Sequence, residues 1–228
     1  MTSDPFSFFF NHLSLFGTKT IAHMELSFAA IGVAILLAIP LGVWLGHLHR
    51  GSFFAINVSN IGRALPSLAV ISIGIAFLGI GFRNTVVALV ILAGPVILTN
   101  AFVAVDGIDP DAVQAARVMG MTPLQVLLRV ELPLALPLIF AGVRTATVYV
   151  VATATLATFA GGGGLGDIVV NESAYGTGGV IAGSLTITAL AFAVDGLLAL
   201  VQLGVTPYPL RKLGRTPSVR AAAMEASR

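Results

Sequence analysis

The chain reads as an all-α integral membrane protein of five transmembrane helices, with its N-terminus outside and its C-terminus inside. Three observations predict this. Hydrophobic residues make up 57% of the 228 residues, charged residues only 10%, and mean hydropathy is +0.97; a soluble domain carries about 25% charged residues. Five apolar, charge-poor runs approach or exceed the ~20-residue helix that a bilayer core demands. Lysine and arginine segregate between the connecting segments, and the richer side faces the cytoplasm.

Taken in order, residues 1–20 form an N-terminal segment. Its Phe-rich stretch Phe6–Phe16 is too short to span and suits the membrane interface. No basic stretch precedes it, so a cleaved signal peptide is not expected. The transmembrane domain covers 21–210, with spans at Leu26–Gly46, Ala64–Phe82, Asn84–Val105, Leu132–Ala160 and Val180–Val205. Arg63 and Arg83 bound the second span, and Pro66 invites a kink in it. Arg144 alone interrupts the fourth span and Asp195 alone the fifth. A polar tail, 211–228, follows with Arg211, Lys212, Arg215, Arg220 and Arg228. That tail, Arg50, Arg117 and Arg129 share one face of a five-span chain. Lys19, Arg83 and the Asp167/Glu172 loop share the other.

The segment 106–133 is a polar island between apolar runs. Asp109 can cap a helix with Pro110 in its first position, where the missing N–H costs nothing. Gly120 suits the left-handed residue that ends it. Thr122-Pro123-Leu124-Gln125 is a second start with a Thr-x-x-Gln capping box, and Pro133 stands at the entrance to the next span. Two short helices joined at a glycine are expected, on the cytoplasmic side.

Gln114-Ala115-Ala116-x-x-x-Gly120, nine residues, then Val130-Glu131-Leu132-Pro133 resembles the EAA loop of ABC importer permeases, with Gln114 where the family has Glu. The resemblance implies a type I ABC importer permease (MetI-like) fold. It implies that Asp109, Gln114, Ala115, Ala116, Gly120, Leu132 and Pro133 belong to a loop seated in a cleft of a cytoplasmic ATPase. A Trp at Ala115 or Ala116 is expected to block that docking. The runs Leu65-Pro66-Ser67-Leu68-Ala69, Gly79-Ile80-Gly81-Phe82, Leu134-Ala135-Leu136-Pro137 and Ala141–Thr147 are similar to glycine betaine, carnitine and choline permeases. Gly161–Asp167 resembles a segment at the outer mouth of osmoprotectant and methionine-type permeases, which gives Gly163, Gly164, Gly166 and Asp167 as outer-mouth residues. The same run formally contains G-x-G-x-x-G. A dinucleotide site needs a strand before it and a soluble βαβ unit around it, so a tight turn is the better reading.

Arg144 and Asp195 fall at similar depths, and lone charges there are costly; they are expected to face the bundle interior and interact. Arg63 is expected either to snorkel to the interface or to face the pathway. Tyr149 is a candidate pathway aromatic, with helix packing as its plainer role. Gly42-x-x-x-Gly46 and Gly179-x-x-x-Gly183 fit close helix packing. His47-x-His49 has no cysteine or carboxylate near it in sequence and reads as interfacial polarity rather than a metal pair.

With 0 Cys there is no thiolate chemistry. No P-loop, nucleophile elbow or metal motif accompanies the scattered Ser, His and Asp; an enzyme is not expected. One Trp and three Tyr are too few for a high-affinity aromatic cage around a quaternary ammonium. The resemblance supplies the expected partners: two ATPase subunits, a second identical or paralogous permease and an external substrate-binding protein. This chain itself binds no cofactor or metal, the partner ATPase binds ATP and Mg, and no nucleic acid is expected. The location implied is the bacterial cytoplasmic membrane. The alternative cargo is methionine or another small solute; outside transporters stand a membrane scaffold and a membrane enzyme.

Overall fold

The computed structural model describes residues 4–205, the side chains of Phe54, Ile56, Arg63 and Val205 apart. The basic tail expected at 211–228 lies outside the described residues. Every element among those described is helical. In order they are α1 (Pro5–Asn11), α2 (Leu13–His47), α3 (Ser52–Ala64), α4 (Ser67–Leu78), α5 (Phe82–Asp106), α6 (Pro110–Val118), α7 (Pro123–Val126), a π-turn (Leu127–Glu131), α8 (Leu132–Thr153), a 3-10 turn (Ala154–Ala160), α9 (Gly166–Val170) and α10 (Glu172–Val205).

Four helical stretches are long and apolar enough to cross a bilayer: Leu13–His47, Phe82–Asp106, Pro123–Ala160 and Glu172–Gly204. Leu13–His47 and Phe82–Asp106 contain the first and third expected spans, Pro123–Ala160 contains the fourth, and Glu172–Gly204 covers the fifth up to its last residue. The second differs. Its apolar run reads as continuous over Ala64–Phe82, but α3 ends at Ala64 and α4 begins only at Ser67. Pro66 lacks the N–H that would continue α3 and sits extended, with ψ 118°. Gly79, at φ 76°, then stops α4 after 12 residues, about 18 Å of helix against the ~30 Å of a hydrocarbon core.

Helices α2, α5 and α8 make the core. Leu26, Ala30 and Ala34 of α2, Leu89, Ala93 and Ile97 of α5, and Ala146 and Val150 of α8 bury together. Small residues let the backbones close. A Cβ on Gly42 would stand 2.6 Å from the Leu98 carbonyl, and one on Gly46 would stand 2.8 Å from that of Phe102. The Gly42-x-x-x-Gly46 motif is thus the α2–α5 seam. Helices α3 and α4 cover α5 and are pinned by polar bonds: Thr99 Oγ1 donates to the Ala55 carbonyl (3.1 Å) and Asn84 Nδ2 to that of Ile71 (3.1 Å).

Helix α1 is capped by Asp4, whose carboxylate accepts from the Phe6 and Ser7 amides. It lies against α10, with the Phe8 ring edge-on to Tyr175 and to Phe16. Helix α10 is kinked at Gly176 (φ 66°) and then runs along α8.

Candidate functional site

The polar island is a helical hairpin with its own small core. Asp109 accepts from the Asp111 amide (2.9 Å). Helix α6 ends at Val118, and Gly120, at φ +83°, reverses the chain, a conformation that costs any residue with a Cβ. The capping box is complete. Gln125 N–H donates to Thr122 Oγ1 (3.4 Å), and Thr122 N–H donates to Gln125 Oε1 (2.8 Å). Val113 and Ala116 of α6 bury against Val126, with Ile108, Met121 and Val130 around them.

This packing corrects one expectation. Ala116 is 1% exposed and faces the hairpin core, so a Trp there breaks the hairpin before it can block a partner. Gln114 and Ala115 remain on the open face. Beside them the hairpin tip exposes Val118 (81%), Met119 and Leu124. These three apolar residues escaped the sequence reading. The signal available was their position outside the 3.6-residue stripe that Val113 and Ala116 define.

Helices α7 and α8 are not separate. The π-turn joins them into one rod, with the Leu132 N–H donating to the Leu127 carbonyl five residues back. Pro133 has no N–H and leaves the Arg129 carbonyl without its usual helical donor; one wider turn accommodates this. Leu132 and Pro133 therefore open α8 from within a continuous helix.

The histidine pair requires a second correction. Carboxylates absent from its sequence neighbourhood come to it in space. His47 Nδ1–H donates to Glu131 Oε2 (2.6 Å), from 84 residues away, and His49 Nδ1–H donates to Asp106 Oδ1 (3.0 Å), from 57 residues away. Glu131 is 1% exposed. These bonds fasten the end of α2 to the π-turn and to the end of α5. His49 (φ 48°) holds the left-handed turn after α2. Beside it a cleft of about 460 Å³ runs past Asp106, Pro110, Gln114 and Arg117. No cluster of three metal-ligating side chains occurs among the described residues.

Midway along the rod, Arg144 meets Asp195 of α10. The contact is bidentate, Nε to Oδ1 and Nη2 to Oδ2, both 2.6 Å. Two parallel charge-assisted bonds are the strongest arrangement these groups can make. Tyr149 is partly exposed on α8 but does not line the cleft beside this pair. Five residues turn a helix to a direction about 140° away from Arg144. Arg63 lies in the last turn of α3; its side chain lies outside the described residues.

At the opposite end of α2, the glycine-rich loop closes on the bundle. Gly161, Gly163 and Gly164 have positive φ, and a 3-10 turn precedes them rather than a strand, which removes the dinucleotide reading. Asp167 accepts from both Lys19 Nζ and Thr158 Oγ1, tying α9 to α2 and to the 3-10 turn. Gly164 lies over His23, and a Cβ there would stand 3.1 Å from Nδ1. His23, fully buried in α2, reaches the Val151 carbonyl through Nε2 (2.8 Å). Gly166 is pressed against the Thr155 carbonyl. Nothing local in sequence marks His23 or Lys19, because their partners come from distant helices.

Comparison with known proteins fits this arrangement. The family model described as "Binding-protein-dependent transport system inner membrane component" matches residues 38–206. The choline transport system permease protein OpuBB of Bacillus subtilis (strain 168) is 38% identical over 196 residues, covering 86% of this chain and 90% of that protein. The glycine betaine/carnitine/choline transport system permease protein OpuCB of the same organism is 38% identical over 194 residues, 85% and 89% of the two chains. The osmoprotectant import permease protein OsmW of Salmonella typhimurium is 32% identical over 214 residues, 91% of this chain and 100% of that one. A solved inward-facing MetNI methionine ABC transporter superposes with a TM-score of 0.76 at 22% identity, over 86% of this chain and 98% of that one; at that identity it speaks for the fold alone. A family match over residues 38–206, which include the capped hairpin between apolar helices, makes this protein a member of the binding-protein-dependent transport system inner membrane components, the permease subunits of ABC transporters.

Proposed function

We propose that the chain is the permease of an ATP-driven importer of osmoprotectants such as glycine betaine, carnitine or choline, working in a bacterial cytoplasmic membrane. The observation that carries the reading is the hairpin. It has its own core, it offers an open face of Gln114, Ala115, Val118 and Leu124, and it continues without a break into α8. The cargo class follows from the relatives, whose names specify choline, glycine betaine, carnitine and osmoprotectants.

In this reading α3 and α4 together complete a fifth crossing, with the N-terminus outside and the hairpin and C-terminus inside. Arg50, Arg117 and Arg129 on the hairpin side support that orientation. Two ATPase subunits take the hairpins of two permeases, identical or paralogous, and hydrolyse ATP with Mg; an external binding protein delivers cargo near Gly163, Gly164, Gly166 and Asp167. Asp109 and Gly120 keep the hairpin stiff. ATP binding favours one hairpin position over the other, and that differential is what shifts the path between its two facings.

The test is reconstitution in liposomes with the ATPase and binding protein of the same system. ATP-dependent uptake of labelled glycine betaine, carnitine or choline is expected; uptake of methionine with none of these would overturn the cargo. The chain has 0 Cys, so Val118→Cys provides a unique thiol in this subunit. An impermeant thiol reagent should reach it only from the cytoplasmic side. Labelling from outside would overturn the orientation and the coupling role together.

A further inference from the structure

The Arg144–Asp195 pair differs in kind from the His47–Glu131 contact. The latter is closed over, at 12% and 1% side-chain exposure, as a fastening should be. The former keeps 33% and 34% and opens onto a cleft of about 460 Å³ between α8 and α10, within the size range of small-molecule sites. Ala141, Thr145 and Val148 line it from α8 and Gln202 from α10. No aromatic side chain is among its described lining residues.

While the pair is intact the cleft is electrically neutral. A lone cation bound there would pull Asp195 toward itself and leave the guanidinium without a counter-ion in the middle of an apolar helix. A zwitterion leaves nothing unpaired. Its carboxylate can take the two N–H groups of Arg144 that Asp195 now occupies, because the planar fork fits any carboxylate. Its quaternary ammonium, which has no N–H to donate, can sit against the released Asp195 carboxylate by charge alone. The exchange starts and ends neutral. The described lining offers no aromatic ring for a cation–π contribution, so the exchange of charge partners carries the binding.

We propose that the Arg144–Asp195 cleft is a transit site for a zwitterion carrying a carboxylate and a quaternary ammonium, which enters by exchanging partners with the ion pair. The site therefore favours glycine betaine over choline. This rests on the osmoprotectant reading above.

The test uses the full complex, permease with ATPase and binding protein, in lipid nanodiscs. Thr145→Cys lines the cleft, and Val148→Cys serves if that variant assembles poorly. Ser184→Cys, exposed farther along α10, is the control. Labelling of this subunit by a small thiol reagent is followed by mass spectrometry. Glycine betaine at about four times its dissociation constant should slow labelling at 145 by about five-fold, the mass-action result, and leave 184 unchanged. Choline at the same concentration should protect far less. The neutral pair R144Q/D195N should abolish the protection.

Equal protection by both compounds would overturn the preference for a zwitterion. Protection that persists in R144Q/D195N would overturn the role of the ion pair. No protection by either, in a complex that still imports glycine betaine on ATP addition, would overturn the site and leave the permease reading standing. A complex that imports none of glycine betaine, carnitine and choline would remove the osmoprotectant reading and this site with it.

Discussion

Helices α5 and α10 are both long, apolar and able to cross a bilayer, yet they are built for different surroundings. In its most apolar stretch α5 is 44% buried within the subunit, whereas α10 is only 6% buried. Helix α5 touches α2, α3, α4 and α8 and buries Leu89, Leu92, Ala93, Ile97 and Phe102. Helix α10 exposes Phe192, Leu197, Leu200 and Leu203 and packs on α1, α8 and α9. The difference teaches that apolar composition alone does not separate a core helix from a flank. Backbone closeness does. Gly42 and Gly46 have the α5 backbone directly over them, while Gly196 on α10 has nothing within 4 Å.

The largest effect should come from filling the α2–α5 seam. Gly42→Leu meets backbone at 2.6 Å and should cost about 3 kcal/mol, removing the folded subunit from the membrane fraction. Gly196→Leu should accumulate normally, with a single peak in size-exclusion chromatography. Equal loss in both variants would erase the contrast between the two helices.

Next comes the fastening of the α2 end to the π-turn. Glu131→Ala strands His47 in a site with little access to water and should cost about 2 kcal/mol, read as a lower midpoint in thermal unfolding of the purified subunit. A cycle with His47→Ala should show strong non-additivity; independent effects would mean that the two side chains do not act as a pair.

A smaller, local effect is expected at Gly120→Val. The left-handed turn makes a β-branched residue cost about 1–2 kcal/mol. The bundle should keep its unfolding midpoint while ATP hydrolysis runs without matching uptake. Fully coupled uptake in this variant would sink the view of the hairpin as a stiff element. Least disruptive to stability is Ala115→Trp on the open hairpin face. It should leave hairpin and bundle intact but reduce copurification with the ATPase, whereas Ala116→Trp should expose the hairpin to protease. If the two variants behave alike, the burial difference between these neighbours has no consequence.

What could be read in advance divides along the same line. The caps of the hairpin depend on residues within four positions of each other, so Asp109-Pro110, Gly120 and the Thr122/Gln125 box were legible as local chemistry. Arg144 and Asp195 were legible as a pair for another reason. They are the lone charges of their spans, and lipid makes a solitary charge expensive. The His47–Glu131, His49–Asp106 and Lys19–Asp167 contacts span 84, 57 and 148 residues, and no periodicity encodes such distances. The early end of α4 was hidden because Leu65–Phe82 is uniformly apolar, and hydropathy does not register where Pro66 and Gly79 interrupt the backbone. The inward turn of Ala116 was open to helical periodicity but not to motif matching, which treats Ala115 and Ala116 alike.

The π-turn has a mechanical meaning. Because it bridges α7 and α8 without breaking the helix, the segment from Leu124 to Arg144 is one helical strut, about 30 Å long at 1.5 Å per residue. Struts convert tilt into displacement at the far end. A rotation of about 10° about the hairpin moves the guanidinium by about 5 Å over that length, enough to pull a bidentate contact apart. In the proposed coupling, torque applied at the tip reaches the charge pair along continuous helix.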